Sequence, residues 1–361
     1  MLPTHRLRAL GQSVWLDQIT RSLLRKGTLR KYIEEFGVSG LTSNPTIFDN
    51  AIKNSRDYDS SISEGMRRGL HGEQLFLALA LEDLREAADL FRPAYEASGG
   101  TDGFVSLEVS PELAYDTEAT IRAASELWQA AERPNLFIKI PGTPPGLPAI
   151  EESIFRGVPV NVTLLFSWEH YLSAAEAYMK GVERRIAAGL DPRIPSVASL
   201  FVSRWDKAVL GKVPERLRNR LGYAVALKTY RAYNELLASE RWQRLAAEGA
   251  RPQKLLWAST GTKDPAASDV LYIEALAAPN TINTMPEETL LAFVDHGRVG
   301  EPLPVDGRGA EELLAEFATA GVDVGALAER LQKEGAEAFQ QSWRALLERL
   351  SVREAELRAA V

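Results

Sequence analysis

The sequence predicts an α/β protein, a (β/α)8 barrel of the TIM type with additional N- and C-terminal helices. Three observations predict it. Eight short runs rich in β-forming residues lie along the chain, nearly all separated by helical stretches. One of them, Leu136-Phe137-Ile138-Lys139-Ile140-Pro141, reads as a buried parallel strand: short, apolar and ended by proline. Other runs end in polar or ionisable residues, as strands do at the catalytic face of such a barrel. An open doubly wound sheet is the alternative. No Gly-x-Gly-x-x-Gly follows an early strand, which weakens a dinucleotide-binding version of it.

In chain order, residues 1–12 read as a short helix or arm. The first strand is 13–17 and ends in Asp17; a helical stretch covers 19–36. The second strand, 37–45, ends in Ser43-Asn44-Pro45. Helices occupy 46–98, the clearest at 73–95, where Leu75, Leu79, Leu84, Ala88 and Phe91 recur at helical spacing. The third strand is 103–109; its helix opens near Ser110-Pro111-Glu112 or Asp116-Thr117-Glu118 and runs to about Arg133. The fourth is the Lys139 strand, followed by a Gly/Pro-rich loop, 142–148, that lacks the Gly-Lys-Ser/Thr of a P-loop. The fifth strand is 158–166 with a helix over 168–188, and the sixth is 195–202 with a helical region from 214 to 248. The seventh is 254–259, after which Asp264-Pro265 caps a helix; the eighth is 278–284, with Pro286 at a helix start. Residues 297–309 read as a linker. From Ala310 the pattern is helical, with Leu313, Leu314, Phe317, Leu327, Leu331, Phe339, Trp343, Leu346 and Leu350 as its apolar face. The expectation is one domain over 1–361, with the barrel core at 13–296 and a C-terminal helical layer at 310–361.

The chain has 361 residues, 45% hydrophobic and 25% charged, enough to bury a large core. It has no apolar run long enough for a membrane span, and Met1-Leu2-Pro3-Thr4-His5-Arg6 lacks the apolar stretch of a signal peptide. Cysteine is absent, which excludes disulfide and thiol chemistry, and the expected compartment is the cytoplasm. A net charge of -7 argues against general nucleic-acid binding. No membrane partner is expected, and a homo-oligomer is compatible with the sequence. His5, His71, His170 and His296 show no metal-ligand spacing, so no metal is expected.

The strand ends supply Asp17, Asn44, Glu108, Lys139, Asn161, Thr163, Ser199 and, just beyond, Arg204. A lysine at the end of a buried strand either snorkels to water or sits in a desolvated pocket, where a neutral amine is a nucleophile for carbonyls. The plainer alternatives are definite. Asp17 suits a helix cap, and Asn44 before Pro45 is a common turn pair. Glu108, between Leu107 and Val109, is harder to explain as solvated surface in a central strand. Asn161 and Thr163 share one face of their strand; Ser199 and Phe201 share another, with Phe201 as packing. Arg204 suits a surface pair with Asp206. Taken together, however, the set is poorly suited to a packed core, where each buried polar group without a partner costs about 1–3 kcal/mol. It suits Schiff-base aldol chemistry, which needs an amine, an acid/base for the carbinolamine and a second base for C–C cleavage.

Leu41-Thr42-Ser43-Asn44-Pro45-Thr46, Val105-Ser106-Leu107-Glu108-Val109-Ser110 with Tyr115-Asp116-Thr117-Glu118, Phe137-Ile138-Lys139-Ile140-Pro141 and Val160-Asn161-Val162-Thr163-Leu164-Leu165-Phe166-Ser167 resemble transaldolase, in order from Asp17 to about Pro286. The resemblance implies a cofactor-free class I enzyme of the non-oxidative pentose phosphate pathway. Such an enzyme moves a dihydroxyacetone unit from a ketose phosphate to an aldose phosphate. By motif position, Lys139 is the Schiff-base lysine, Glu108 and Thr163 handle a catalytic water, and Asp17 takes the C4 hydroxyl proton. Asn44, Asn161 and Ser199 hold the dihydroxyacetone unit, Phe201 lines the pocket and Arg204 binds phosphate. One position departs. A phosphate-binding Arg is expected shortly after Ala258-Ser259, but Thr260-Gly261-Thr262-Lys263 follows, and Lys263 is the candidate second positive charge. An aldolase releasing free dihydroxyacetone, and a non-catalytic barrel that binds sugar phosphates, are the alternatives.

Overall fold

A computed structural model describes residues 1–359. Eight strands form: β1 (Gln12–Asp17), β2 (Gly40–Thr42), β3 (Val105–Glu108), β4 (Leu136–Pro141), β5 (Val160–Leu165), β6 (Ser196–Phe201), β7 (Lys254–Ala258) and β8 (Thr281–Met285). Every pairing is parallel, in the order β2-β1-β8-β7-β6-β5-β4-β3. The two ends of that order meet. The Leu41 N–H donates to the Phe104 carbonyl at 2.9 Å, and the Ser43 hydroxyl donates to the Ser106 carbonyl at 2.8 Å. The sheet therefore closes into the expected barrel, and the open doubly wound arrangement is excluded. β3, β4, β5 and β6 are buried at every position, as parallel strands covered by helices must be.

The N-terminal mouth is plugged by Trp15, Phe104 and Phe137, with the two phenylalanine rings stacked at 4.2 Å. Asp102 ties the strands there, accepting from Ser13, Ser39 and the Trp15 indole N–H. β2 approaches Trp15 so closely that a Cβ at Gly40 would lie 2.3 Å from the indole, so only glycine fits. A plugged N-terminal end leaves the other mouth, built from the C-terminal strand ends and following loops, for binding and chemistry.

Several local readings change. The 142–148 stretch is not simply a loop: a helix runs from Gly146 to Phe155, hidden in the sequence by its Gly and Pro content. Gly146 is needed at its start, because a Cβ there would meet the Pro141 carbonyl oxygen at 2.0 Å. Asp264-Pro265 opens no helix; the next is Leu271–Ala275. The Asp264 carboxylate instead accepts from Arg218, Asn219 and the Ala266 N–H, which commits it to a turn. The 19–36 stretch divides at Gly27, in the left-handed region, into Arg21–Arg25 and Thr28–Phe36. Beyond the barrel, Ala310–Thr319 and Val324–Ala359 are helical, and the apolar face read from the sequence is buried at each of its nine positions.

The C-terminal helix, Val324–Ala359, spans 36 residues, about 54 Å, and lies across the C-terminal mouth. Gln332 donates to the Gly142 and Leu164 carbonyls, and Gln340 to the Pro111 carbonyl. Ser342 pairs with Thr46, and Arg349 with Asp49. These contacts run from the segment after β4 and the end of β5 to the segments after β3 and β2.

Candidate active site

Parallel register sets the floor of the site. Glu108 on β3 stands beside Lys139 on β4, which stands beside Asn161 on β5; Asp17 on β1 stands beside Thr42 on β2. Phe137 and Lys139, two residues apart, share the inward face of β4, Phe137 in the plug and Lys139 one layer higher in the cavity. Lys139 is not a strand-end lysine with its tip in water: it is 5% exposed, and its ammonium donates to the Ser43 carbonyl at 3.0 Å. Its Nζ is 3.3 Å from Glu108 Oε2. That contact is an ion pair whose angles fall short of a hydrogen bond. Both Glu108 oxygens thus have no hydrogen-bond partner among the described residues. Burial pushes the Glu108 carboxyl above the ordinary range, against the pull of Lys139. Thr163 Oγ1 is likewise buried and unpartnered among the described residues. Unpaired buried polar atoms are costly, and these three lie on β3 and β5, the strands that flank Lys139 on β4.

Asp17 opens onto the cavity, yet protein surrounds it closely enough that burial raises its carboxyl above the usual aspartate value. Lys139 and the Thr42 hydroxyl, which donates to it at 2.7 Å, oppose that rise. Thr42 Oγ1 is also 2.7 Å from Thr284 Oγ1. Since Thr42 gives its one proton to Asp17, Thr284 donates to Thr42, and two hydroxyls in series stabilise the carboxylate. Asp17 caps no helix: the N-cap of Arg21–Arg25 is Thr20. Asn44 does cap one. Its Oδ1 accepts from the Ile47 N–H at 3.0 Å, and the residue also lines the cavity.

Asn161 is fully buried and oriented on both sides: its amide donates to Ser106 Oγ at 3.2 Å, and Ser199 Oγ donates to its Oδ1 at 2.7 Å. β5 shifts register between Val162 and Leu165, where Leu164 takes a φ of 59°. A left-handed leucine is strained backbone, and such positions concentrate at functional sites.

Arg204 follows β6 and lines the cavity with Ser199 and Phe201. It does not pair with Asp206, whose carboxylate accepts from the Leu221 and Gly222 N–H groups and the Tyr272 hydroxyl. Among the described residues, Arg204 has no carboxylate within 4.0 Å. Its guanidinium carbon lies 5.0 Å from the Phe201 ring centroid and 5.6 Å from that of Phe339. Burial lowers its pKa, while Glu108 and Asp17 act in the other direction. Lys263, exposed, lines the same cavity after β7. The wall thus carries three cations, Lys139, Arg204 and Lys263, with Asp17 on it and Glu108 just behind.

The strand-end residues singled out in the sequence converge on one mouth, with Glu108 and Asn161 behind the cavity wall, touching Lys139 and Ser199. The sequence reading passed over Thr42, Thr46, Ser259, Thr284 and Phe339, which also line it. Thr284 and Ser259 were findable by the strand-end rule. Phe339 was read as apolar packing, and only the path of the C-terminal helix brings it here. Among the described residues no group of three or more His, Asp or Glu is arranged to hold a metal, and no helix is long and apolar enough to cross a membrane.

Residues 14–350 match the family described as Transaldolase/Fructose-6-phosphate aldolase. A protein named transaldolase from Parafrankia sp. (strain EAN1pec) is 45% identical over 355 residues, covering 96% of each chain. One from Saccharopolyspora erythraea is 46% identical over 345 residues, covering 94% of each. A protein named transaldolase 2 from Nostoc punctiforme is 43% identical over 364 residues, covering 95% of each.

Proposed function

The chain belongs to the transaldolase/fructose-6-phosphate aldolase family, and we propose that its transaldolase chemistry runs through a Schiff base on Lys139. The activity is that of a transferase. The observation that carries the assignment to Lys139 is a buried amine in the cavity, ion-paired at 3.3 Å with the Glu108 carboxylate, whose oxygens have no hydrogen-bond partner among the described residues.

The Lys139 ammonium first gives a proton to Glu108, and the neutral amine then adds to the C2 carbonyl of a ketose phosphate, sedoheptulose 7-phosphate or fructose 6-phosphate. The carbinolamine then loses its hydroxyl as water, with Glu108 and Thr163 passing the protons. Their unpartnered oxygens leave acceptor sites for that water. Asp17 takes the C4 hydroxyl proton; the C3–C4 bond breaks, its electrons pass to the imine as an enamine, and the aldose phosphate departs. The enamine adds to the aldehyde of an acceptor, glyceraldehyde 3-phosphate or erythrose 4-phosphate, whose oxygen takes the proton back from Asp17. Hydrolysis then frees the product and the amine. Asn44 and Ser199, with Asn161 behind Ser199, hold the dihydroxyacetone unit against Phe201, and Arg204 and Lys263 face the phosphate. The setting is the non-oxidative pentose phosphate pathway in the cytoplasm, with no cofactor.

The test is borohydride trapping with fructose 6-phosphate, followed by peptide mapping. The adduct is expected on Lys139, and Lys139→Met is expected to abolish trapping and turnover while the protein stays folded. An adduct on another lysine overturns the assignment. Catalytic release of free dihydroxyacetone from fructose 6-phosphate alone would mark an aldolase instead.

A further inference from the structure

We propose that Gly335 and Phe339 of the C-terminal helix are positioning residues for the sugar phosphate: they hold the Arg204 guanidinium in its binding orientation and so set the preference for phosphorylated donors. The proposal rests on the reading of Arg204 as a phosphate ligand.

Arg204 is mostly enclosed and has no carboxylate partner within 4.0 Å among the described residues, so no ion pair fixes its direction. What surrounds it does. Phe201 and Phe339, centroids 6.5 Å apart and inclined at 66°, lie 5.0 and 5.6 Å from the guanidinium carbon. One ring belongs to the end of β6, the other to a helix more than a hundred residues later. A cation within about 6 Å of two ring centroids is attracted to both and loses freedom to swing.

Gly335 completes the enclosure by what it lacks. A Cβ there would lie 2.9 Å from Leu164 Cδ2 and 3.1 Å from Arg204 Nη1, so with any side chain the Leu164 methyl must shift and the guanidinium must give by a few tenths of an ångström. Glycine is a poor helix former, and its backbone here is ordinary helix, so φ does not demand it. Clearance over Arg204 and Leu164 does. Gln332, one turn earlier, donates to the Leu164 carbonyl at 3.0 Å and seats the helix at this point. Gln332, Gly335 and Phe339 fall on one face of the helix. Holding the arginine before substrate arrives reduces the ordering cost of binding the anion.

The experiment measures two quantities in Arg204→Ala, Gly335→Ala, Phe339→Leu, Phe339→Tyr and the Arg204→Ala/Phe339→Leu double variant. One is the ratio of kcat/KM for fructose 6-phosphate to that for fructose; the other is the inhibition constant of inorganic phosphate. Arg204→Ala is expected to lower the ratio by about ten- to a hundred-fold. Gly335→Ala and Phe339→Leu should lower it by about three- to ten-fold and weaken phosphate inhibition by the same factor. Phe339→Tyr, which keeps the ring face, should retain most of the preference. In the Arg204→Ala background, Phe339→Leu should change the ratio no further.

If Arg204→Ala leaves the ratio unchanged, the phosphate reading itself falls. If Arg204→Ala lowers it while Gly335→Ala and Phe339→Leu do not, or if the double variant is additive, only the positioning proposal falls. Should Phe339→Leu fail to fold, Gly335→Ala alone decides.

Discussion

Replacing Asp17 by asparagine separates the base from everything else the residue does. The side chain keeps its shape, and its Oδ1 still accepts from Thr42, which sits at 2.7 Å. What is lost is a carboxylate able to take a proton. A positioned general base contributes about 10²–10⁴-fold, or roughly 2.7–5.4 kcal/mol of barrier, so turnover should fall by that factor. Stability should not fall. Burial raises the Asp17 carboxyl above its unfolded value, so above the unfolded pKa the ionisable carboxyl costs the folded state stability. A neutral isostere removes that penalty, and Tm should stay constant or rise. In the proposed mechanism imine formation precedes C–C cleavage and needs Lys139 and Glu108, not Asp17. Asp17→Asn should therefore accumulate a borohydride-trappable imine with fructose 6-phosphate, read by intact mass, while transfer to erythrose 4-phosphate nearly stops. Turnover within ten-fold of the parent refutes the role. Loss of imine together with turnover moves Asp17 to an earlier step, and a falling Tm makes it structural.

The hydroxyl series behind Asp17 has its own signature. Thr42→Val removes the donor that lowers the Asp17 pKa, so the acid limb of kcat, where the base is lost as pH falls, should move to higher pH; an unmoved limb argues against Asp17 as the base. Lys263→Ala should raise KM for phosphorylated donors, but less than Arg204→Ala, because lysine acts as a point charge whereas arginine can grip bidentately. An unchanged KM places the second phosphate contact elsewhere. Outside the site, Arg21 Nε pairs with Asp83 Oδ1 at 2.8 Å, both side chains 2% exposed, and burial raises the Asp83 carboxyl to about 6. Arg21→Met leaves that carboxylate buried without its cation and should cost about 3–5 kcal/mol in urea unfolding at pH 8. Arg21 holds the Asp83 pKa down, so without it the folded pKa rises further and the variant takes up its proton at higher pH than the parent, which offsets the loss. The deficit should shrink toward pH 5.5, and an equal deficit at both pH values refutes the charge argument.

The barrel was legible because its strands are short apolar runs bounded by breakers and separated by helices, a pattern that local chemistry writes directly into the chain. Lys139, Glu108 and Asp17 were legible for a related reason: an ionisable residue at the end of a buried strand stands out against its neighbours. Mixed segments were less legible. The Gly146–Phe155 helix hid in a Gly/Pro-rich stretch, because local composition argued for a turn while packing against its neighbours favoured a helix. Asp264-Pro265 read as a helix start, because nothing local revealed that Arg218 and Asn219, some forty-five residues earlier, would claim the carboxylate.

Strand order, the closing contact between β2 and β3, and the 3.3 Å approach of Lys139 to Glu108 depend on register, which no single segment carries. The same holds for the mouth of the site. Phe339 and Gly335 belong to a helix whose apolar face the sequence shows plainly, and both would pass for ordinary packing. That one of its rings meets Arg204, and that one missing Cβ makes room for it, follows only from where a helix of about 54 Å lies once it is folded across the barrel. Sequence by itself determined which residues are apolar and which are chemically unusual, because hydrophobicity and charge are properties of single side chains. Tertiary structure alone decided which of them meet, because contact between residues far apart in the chain depends on the path of everything between them.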